Sequence, residues 1–157
     1  MLKLLPLKSN SDYLPSCLEI VTQYCDLLFS EIENPIKSFV DALENQNNKA
    51  IAAFKENQLI AFAVLYNFQK ISDKNFNCYI YGAAKRKVAK ELETTIKFLM
   101  ADLKKQGCIM LRLETYEYNL AMRHLANRLN FKKVGILECN CLKNGKYINN
   151  ILYEKKL

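Results

Sequence analysis

Gly107 stands between two hydrophobic periodicities that together leave little choice of local architecture. On its N-terminal side Val88, Leu92, Ile96, Leu99 and Leu103 recur at steps of four and three, while Lys90, Glu91, Glu93, Lys97 and Asp102 fall off that stripe. This spacing predicts an amphipathic helix running to about Gln106 and packed on a sheet. On the other side Ile109, Leu111 and Leu113 alternate, as they do along a β-strand. The glycine supplies the left-handed C-terminal cap between them. A second helix, YNLAMRHLANRLNF, follows the strand, so residues 82–131 predict a parallel crossover around which the remaining chain is scaffold.

The start of the first helix carries Lys85, Arg86, Lys87 and Lys90. Cations at a helix N-terminus oppose the macrodipole, at about 0.3–1 kcal/mol each when exposed. An anion bound there would offset this, because unpaired N–H groups, the dipole and nearby cations together make a phosphate site. A solvated basic helix end is the competing reading from charge alone.

From Lys104 to Phe131 the chain reads KKQGCIMLRLETYEYNLAMRHLANRLNF, which resembles the second half of the core of the GNAT (GCN5-related) N-acetyltransferases. The resemblance lies in a helix ending at Gly107, an apolar strand from Ile109 to Leu113 ending in Glu114 and Thr115, Asn119, and a short helix closing in Asn130 and Phe131. Asn130 stands where the family usually has Gly, and Asn also tolerates the left-handed conformation. The resemblance implies an α/β fold of the GNAT kind, with a mixed, mostly antiparallel sheet flanked by helices. It covers residues 50–157 well and the N-terminal third in outline.

It also implies acetyl-CoA as co-substrate and an amine as acceptor. The family's pyrophosphate loop, Arg/Gln-x-x-Gly-x-Gly/Ala, falls on Lys87, Val88, Ala89, Lys90, Glu91 and Leu92, so both glycine places are filled by side chains. A frame shifted by one matches Arg86 and Ala89. By this resemblance the cofactor-binding residues are Ile80, Tyr81, Gly82, Lys85, Arg86, Lys87, Val88, Ala89, Lys90 and Asn119. Ala126 occupies the place where many family members carry a proton-donating Tyr. Tyr116 and Tyr118 lie nearby as alternatives, each also readable as a loop aromatic, and Glu114 reads equally as a base or a structural residue. No catalytic residue is assigned. A non-catalytic GNAT-fold module that binds a partner protein is the alternative function.

The preceding segments fit this frame. MLKLLPLKSN predicts an edge strand ending near Pro6. Leu14, Leu18, Val21, Cys25, Leu28 and Ile32 predict one long helix, capped by Ser11 or Asp12 with Pro15 in its first turn. Asn34-Pro35 restarts a shorter helix whose apolar side is Ile36, Phe39, Val40 and Leu43. Ala50–Phe54 and Leu59–Phe68 predict a hairpin across KENQ, the second strand being apolar on both faces. FNCYIYG puts Phe76, Cys78 and Ile80 on one face and Tyr79 and Tyr81 on the other, the tyrosines turned to the acceptor or simply packed. Asn144-Gly145 predicts a closing hairpin.

At 157 residues the chain predicts a single domain spanning residues 1–157. No apolar run reaches the roughly 18–20 residues of a membrane span, and no signal peptide is evident, so a cytoplasmic protein is expected. Its six cysteines read as small core residues rather than disulfides or a zinc site, although Cys139 and Cys141 would share one strand face. His124 reads as a polar surface or satisfied residue. The net charge of +7 suits CoA phosphates, and the basic stripe interleaved with aromatics that nucleic acid would favour is missing. A homodimer is compatible with all of this.

Overall fold

The structure, a computed structural model, describes residues 2–29, 34–85 and 89–157, with the Ala89 side chain excluded. Strand β1 (Leu2–Pro6) is followed by helices α1 (Leu14–Gln23), α2 (Cys25–Leu28) and α3 (Pro35–Glu44). Strands β2 (Lys49–Lys55), β3 (Gln58–Lys70) and β4 (Phe76–Ala84) form a meander, and helix α4 (Ala89–Lys105) crosses to β5 (Cys108–Tyr116). Helix α5 (Leu120–Arg128), β6 (Lys132–Lys143) and β7 (Lys146–Lys156) complete the chain. The described strands make one seven-stranded sheet in the order β1-β2-β3-β4-β5-β7-β6, in which only β4 and β5 run parallel. This is the mixed, mostly antiparallel α/β fold that the sequence predicts.

The centre of the sheet is buried on both sides because β3 is apolar on both faces. Ala61, Ala63 and Leu65 pack into the core beneath α4 and α5, with Ile96, Leu99, Leu103, Leu111 and Leu113. Phe62 and Val64 join the second core with Cys17, Ile20, Val21 and Phe39. The Phe39 and Phe62 ring centroids lie 4.9 Å apart. Each such fully buried aliphatic or aromatic side chain stabilises the fold by about 1.5–3 kcal/mol relative to exposure.

Both predicted turns form, and Asn57, Asn144 and Gly145 are residues that their left-handed conformation favours, whereas Glu56 is not. Glu56 and Asn57 (φ 52° and 63°) join β2 to β3, and Asn144 and Gly145 (φ 50° and 70°) join β6 to β7. Gly107 sits at φ 93°, and a Cβ there would lie 2.0 Å from the Lys74 carbonyl oxygen, so both conformation and space demand glycine. Asn130 adopts φ 59° after α5, as its place in the motif requires. Asn34 caps α3 by accepting the Lys37 N–H at 3.0 Å.

Four expectations are corrected. The long first helix ends at Gln23, and after Tyr24 only the single turn of α2 follows before Phe29 turns extended. That break lets the Phe29 ring reach Tyr81, with centroids 6.3 Å apart, which a continuous helix would not allow. The buried face of α1 is accordingly Cys17, Ile20 and Val21, while Ile32 lies outside the described residues. Neither Ser11 nor Asp12 caps this helix: its N-cap is Tyr13, and the Ser11 hydroxyl accepts the Lys8 N–H instead. Ile36 is 43% exposed, leaving Phe39 as the buried anchor of α3. Cys139 and Cys141 do not share an environment, because a bulge between Leu137 and Cys141 puts Cys139 at φ 52° and in solvent while Cys141 is buried. No helix among the described residues is long and apolar enough to cross a membrane, a statement that does not bear on strands.

Candidate active site

The parallel pair β4–β5 opens part-way along its length. Its ladder runs from Phe76↔Cys108 to Tyr79↔Arg112 and then stops, although β4 continues to Ala84 and β5 to Tyr116. Each strand stays bound on its outer side, β4 to β3 as far as Ala84↔Ala61 and β5 to β7 as far as Tyr116↔Asn150. Two cavities lie along this opening.

The first, of about 470 Å³, is lined by Leu27, Leu28 and Phe29, by Tyr66 and Tyr81, by Glu114, Thr115 and Tyr116, and by Asn140, Cys141, Leu142 and Asn150. Its polar centre is the Glu114 carboxylate, whose Oε1 accepts from Asn150 Nδ2 at 2.5 Å and from Asn140 Nδ2 at 3.3 Å. The β6 bulge brings Asn140 to this position, and Asn149 Oδ1 pins the bulge by accepting the Cys139 N–H at 3.0 Å. The Tyr66 ring meets that of Tyr79 at a tilt and that of Tyr81 edge-on, with centroids 5.5 and 5.6 Å away. Burial, with the nearby Glu114 charge, pushes the Tyr66 phenol well above its ordinary value and keeps it protonated.

The second cavity, of about 410 Å³, has largely apolar walls: Leu27, Leu28, Ala83, Ala84, Leu92, Ala121, Met122 and Leu125. Tyr24, Gly82, Asn119 and three basic side chains, Lys85, His124 and Arg128, complete it. Arg128 also pairs with Glu93 at 2.8 Å. Gly82 is required by its neighbours, since a Cβ there would sit 2.4 Å from the Phe62 carbonyl oxygen. Asn119 has its side-chain oxygen engaged as the N-cap of α5, accepting the Met122 N–H at 3.1 Å. The Lys85 N–H is held by the Ile60 carbonyl at 2.7 Å. Leu27 and Leu28 belong to both walls, so the cavities adjoin at α2. The Tyr118 hydroxyl donates to the Asp26 carbonyl and ties that turn to the end of β5.

Of the cofactor residues expected from the sequence, Gly82, Lys85 and Asn119 come together in the second cavity. Tyr81 lines the first cavity, and the Ile80 side chain lies in the core under α4. Lys90 is exposed on the first turn of α4. Arg86, Lys87, Val88 and the Ala89 side chain lie outside the described residues. Ala126, at the usual tyrosine position, is 0% exposed in the core.

Sequence reasoning missed Tyr24, Leu27, Tyr66, Asn140 and Asn150, read Arg128 only as part of a helix, and took His124 for a polar surface or satisfied residue. One signal was available. Asn149-Asn150 interrupts an otherwise apolar run, YINNILY, and an amide at an inward strand position asks for a buried partner.

The profile of the Acetyltransferase (GNAT) family matches residues 14–131. The chain belongs to this family, whose reaction is transfer of an acetyl group from acetyl-CoA to an amine. Solved structures agree in fold. The ribosomal-protein-alanine N-acetyltransferase of Brucella melitensis superposes with a TM-score of 0.80 at 17% identity, covering 99% of each chain. An acetyltransferase from Salmonella typhimurium, solved with acetyl-CoA, gives 0.78 at 10% identity over 99% of this chain and 94% of that one. NAA60 of Arabidopsis thaliana, solved with a bisubstrate analogue, gives 0.72 at 18% identity over 99% and 98%. No curated protein sequence matches.

Proposed function

We propose that the two cavities divide the acetyl-transfer reaction between them, the second holding acetyl-CoA and the first the amine. The observation that carries this reading is their meeting at Leu27 and Leu28 in the gap between β4 and β5. The apolar walls of the second cavity suit a pantetheine arm, and Lys85, His124 and Arg128 suit its phosphates. By the family resemblance Arg86, Lys87, Val88, Ala89 and Lys90, which follow Lys85 in the sequence, are assigned to the same site together with the backbone of residues 80–82, and Asn119 lines it from α5.

In this arrangement a neutral amine in the first cavity attacks the thioester carbonyl. The N–C bond forms, the C–S bond breaks, Glu114 takes one proton from nitrogen, and sulfur leaves as a thiolate that must be protonated. Tyr24 is the phenol lining the second cavity, and we assign it the proton donor's part that Ala126 cannot play. Holding both reactants across one opening supplies much of the rate, since effective molarities are worth up to about 7–11 kcal/mol.

The test is a melting series with CoA and acetyl-CoA, followed by acetyl-CoA-dependent thiol release with added amines. A ligand at a hundred times its Kd should stabilise the protein by about 2.7 kcal/mol. Absence of any shift at millimolar CoA would overturn the assignment.

A further inference from the structure

Arg112 stands where β4 and β5 part. It belongs to the last rung of their ladder, opposite Tyr79, beyond which each strand is paired only with its outer neighbour. Its guanidinium joins four strands at that rung. Nε donates to Glu154 Oε1 on β7 at 2.7 Å, Nη1 donates to Gln69 Oε1 on β3 at 2.7 Å, and Cζ lies 5.7 Å from the centre of the Tyr79 ring on β4. The Arg112 and Glu154 side chains are only 22% and 25% exposed, so water screens the pair less than it would at the surface. Gln69 reaches this face through an extra residue in β3. Tyr66 lies opposite Tyr79 and Gln69 opposite Asn77, with Asn67 at φ 50°, whereas an unbroken register would set Phe68 opposite Asn77.

The closed stretch that Arg112 ends is a parallel ladder of four pairs with an irregularity after the first. Parallel pairing is slightly weaker per residue than antiparallel, so nothing in so short a ladder stops the opening from spreading toward Phe76. Tyr79 also begins a series of rings, meeting Tyr66, which meets Tyr81, and the last two line the first cavity. Three residues beyond Tyr79, Gly82 lines the second. Arg112 lines neither.

We infer that Arg112 is a positioning residue that bolts the β4–β5 ladder at Tyr79 and thereby fixes the opening on which both cavities are built. The inference rests on the acetyl-transfer reading above and adds to it a residue that acts through β4. A guanidinium suits the task because its planar fork donates in two directions while its face lies on a ring, which a lysine ammonium does not reproduce.

The test uses the full chain and compares wild type with Arg112→Gln, Arg112→Lys and Leu4→Ala, the last a control that removes packing on β1 at the far edge of the sheet. Backbone hydrogen exchange is followed peptide by peptide, and the Kd for CoA is measured by calorimetry. Arg112→Gln should speed exchange about tenfold or more across residues 76–79 and 108–112, with β2 changing less, and should raise the Kd for CoA about fivefold or more. Arg112→Lys should recover less than half of either effect on a logarithmic scale, whereas Leu4→Ala should leave the Kd within about twofold of wild type. Unchanged exchange in Arg112→Gln, or faster exchange spread evenly over all strands, would overturn the bolt. Local loosening without a change in Kd would overturn its link to the cavities, as would full recovery by lysine. Wild type that binds no CoA would remove the acetyl-CoA reading, and the exchange comparison would then decide the part of Arg112 by itself. Should Arg112→Gln fail to fold, Glu154→Gln, which keeps an acceptor and removes the charge, must show the same local loosening in smaller measure or the bolt falls.

Discussion

The two cavities share Leu27 and Leu28 yet are built in opposite ways. Apart from residues of the Tyr24–Leu28 turn, the second draws its walls from residues 82–85 with Leu92 and from residues 119–128, on either side of one crossover. Its apolar side chains come from the end of β4 and from helices that pack on the sheet, and its basic side chains stand just past β4 (Lys85) and along α5 (His124 and Arg128). The first is assembled from α2, β3, β4, β5, β6 and β7, and its polar centre joins Glu114 to Asn140 and Asn150 across three strands. A surface formed by consecutive elements follows from their local periodicity. A surface formed by six elements follows from register, and one bulge in β6 decides whether Asn140 reaches it.

The largest effect expected separates the cavities by chemistry. Glu114→Gln should keep the hydrogen bonds from the asparagines and lower kcat by about 10²–10⁴-fold, with CoA affinity unchanged by calorimetry. A parallel loss of CoA affinity would show that the division between them is wrong. Next comes a change that should strike both cavities through the fold. Gly107→Ala places a side chain at φ 93° against the Lys74 carbonyl, and the backbone strain alone should cost about 1–3 kcal/mol in a urea melt. A stability equal to wild type would mean that the α4–β5 junction is looser than the structure has it.

A smaller effect should be confined to the second cavity. Lys85→Ala should raise the Kd for CoA by about tenfold in low salt and by less in high salt, because screening weakens the same charge, while the KM for the amine stays as it was. A salt-independent change would assign Lys85 a packing role rather than an electrostatic one. The smallest effect tests the shared wall. Tyr118→Phe removes the bond to the Asp26 carbonyl, worth about 0.5–1.5 kcal/mol, and should raise the apparent KM for both CoA and amine by a few fold. An effect on one substrate alone would show that α2 does not serve both.

Much of the second cavity's frame was legible in the sequence. The stripe of Leu92, Ile96, Leu99 and Leu103 packs under α4 as read, Gly107 closes the helix in the left-handed region, and Asn119 and Asn130 take their expected places. The first cavity was mostly illegible. The helix break at Tyr24 goes against a regular apolar stripe and is favoured by a distant ring, Tyr81, that local spacing cannot reveal. Tyr24 itself looked like one more residue of a continuous helix.

Helix and strand periods, the positive-φ turns and the caps arise from interactions within a few residues, which is why the amino-acid order alone carried the crossover, both hairpins and the family. Depth within the sheet depends on which strands become neighbours. Glu114 is a free strand-end carboxylate or a half-buried, hydrogen-bonded one according to whether Asn140 and Asn150 arrive beside it. Their arrival depends on pairings such as Glu114↔Leu152 and Leu137↔Asn150, and on the bulge that follows Leu137. Those pairings are long-range, and so the chemistry of the first cavity became visible only when the sheet was assembled.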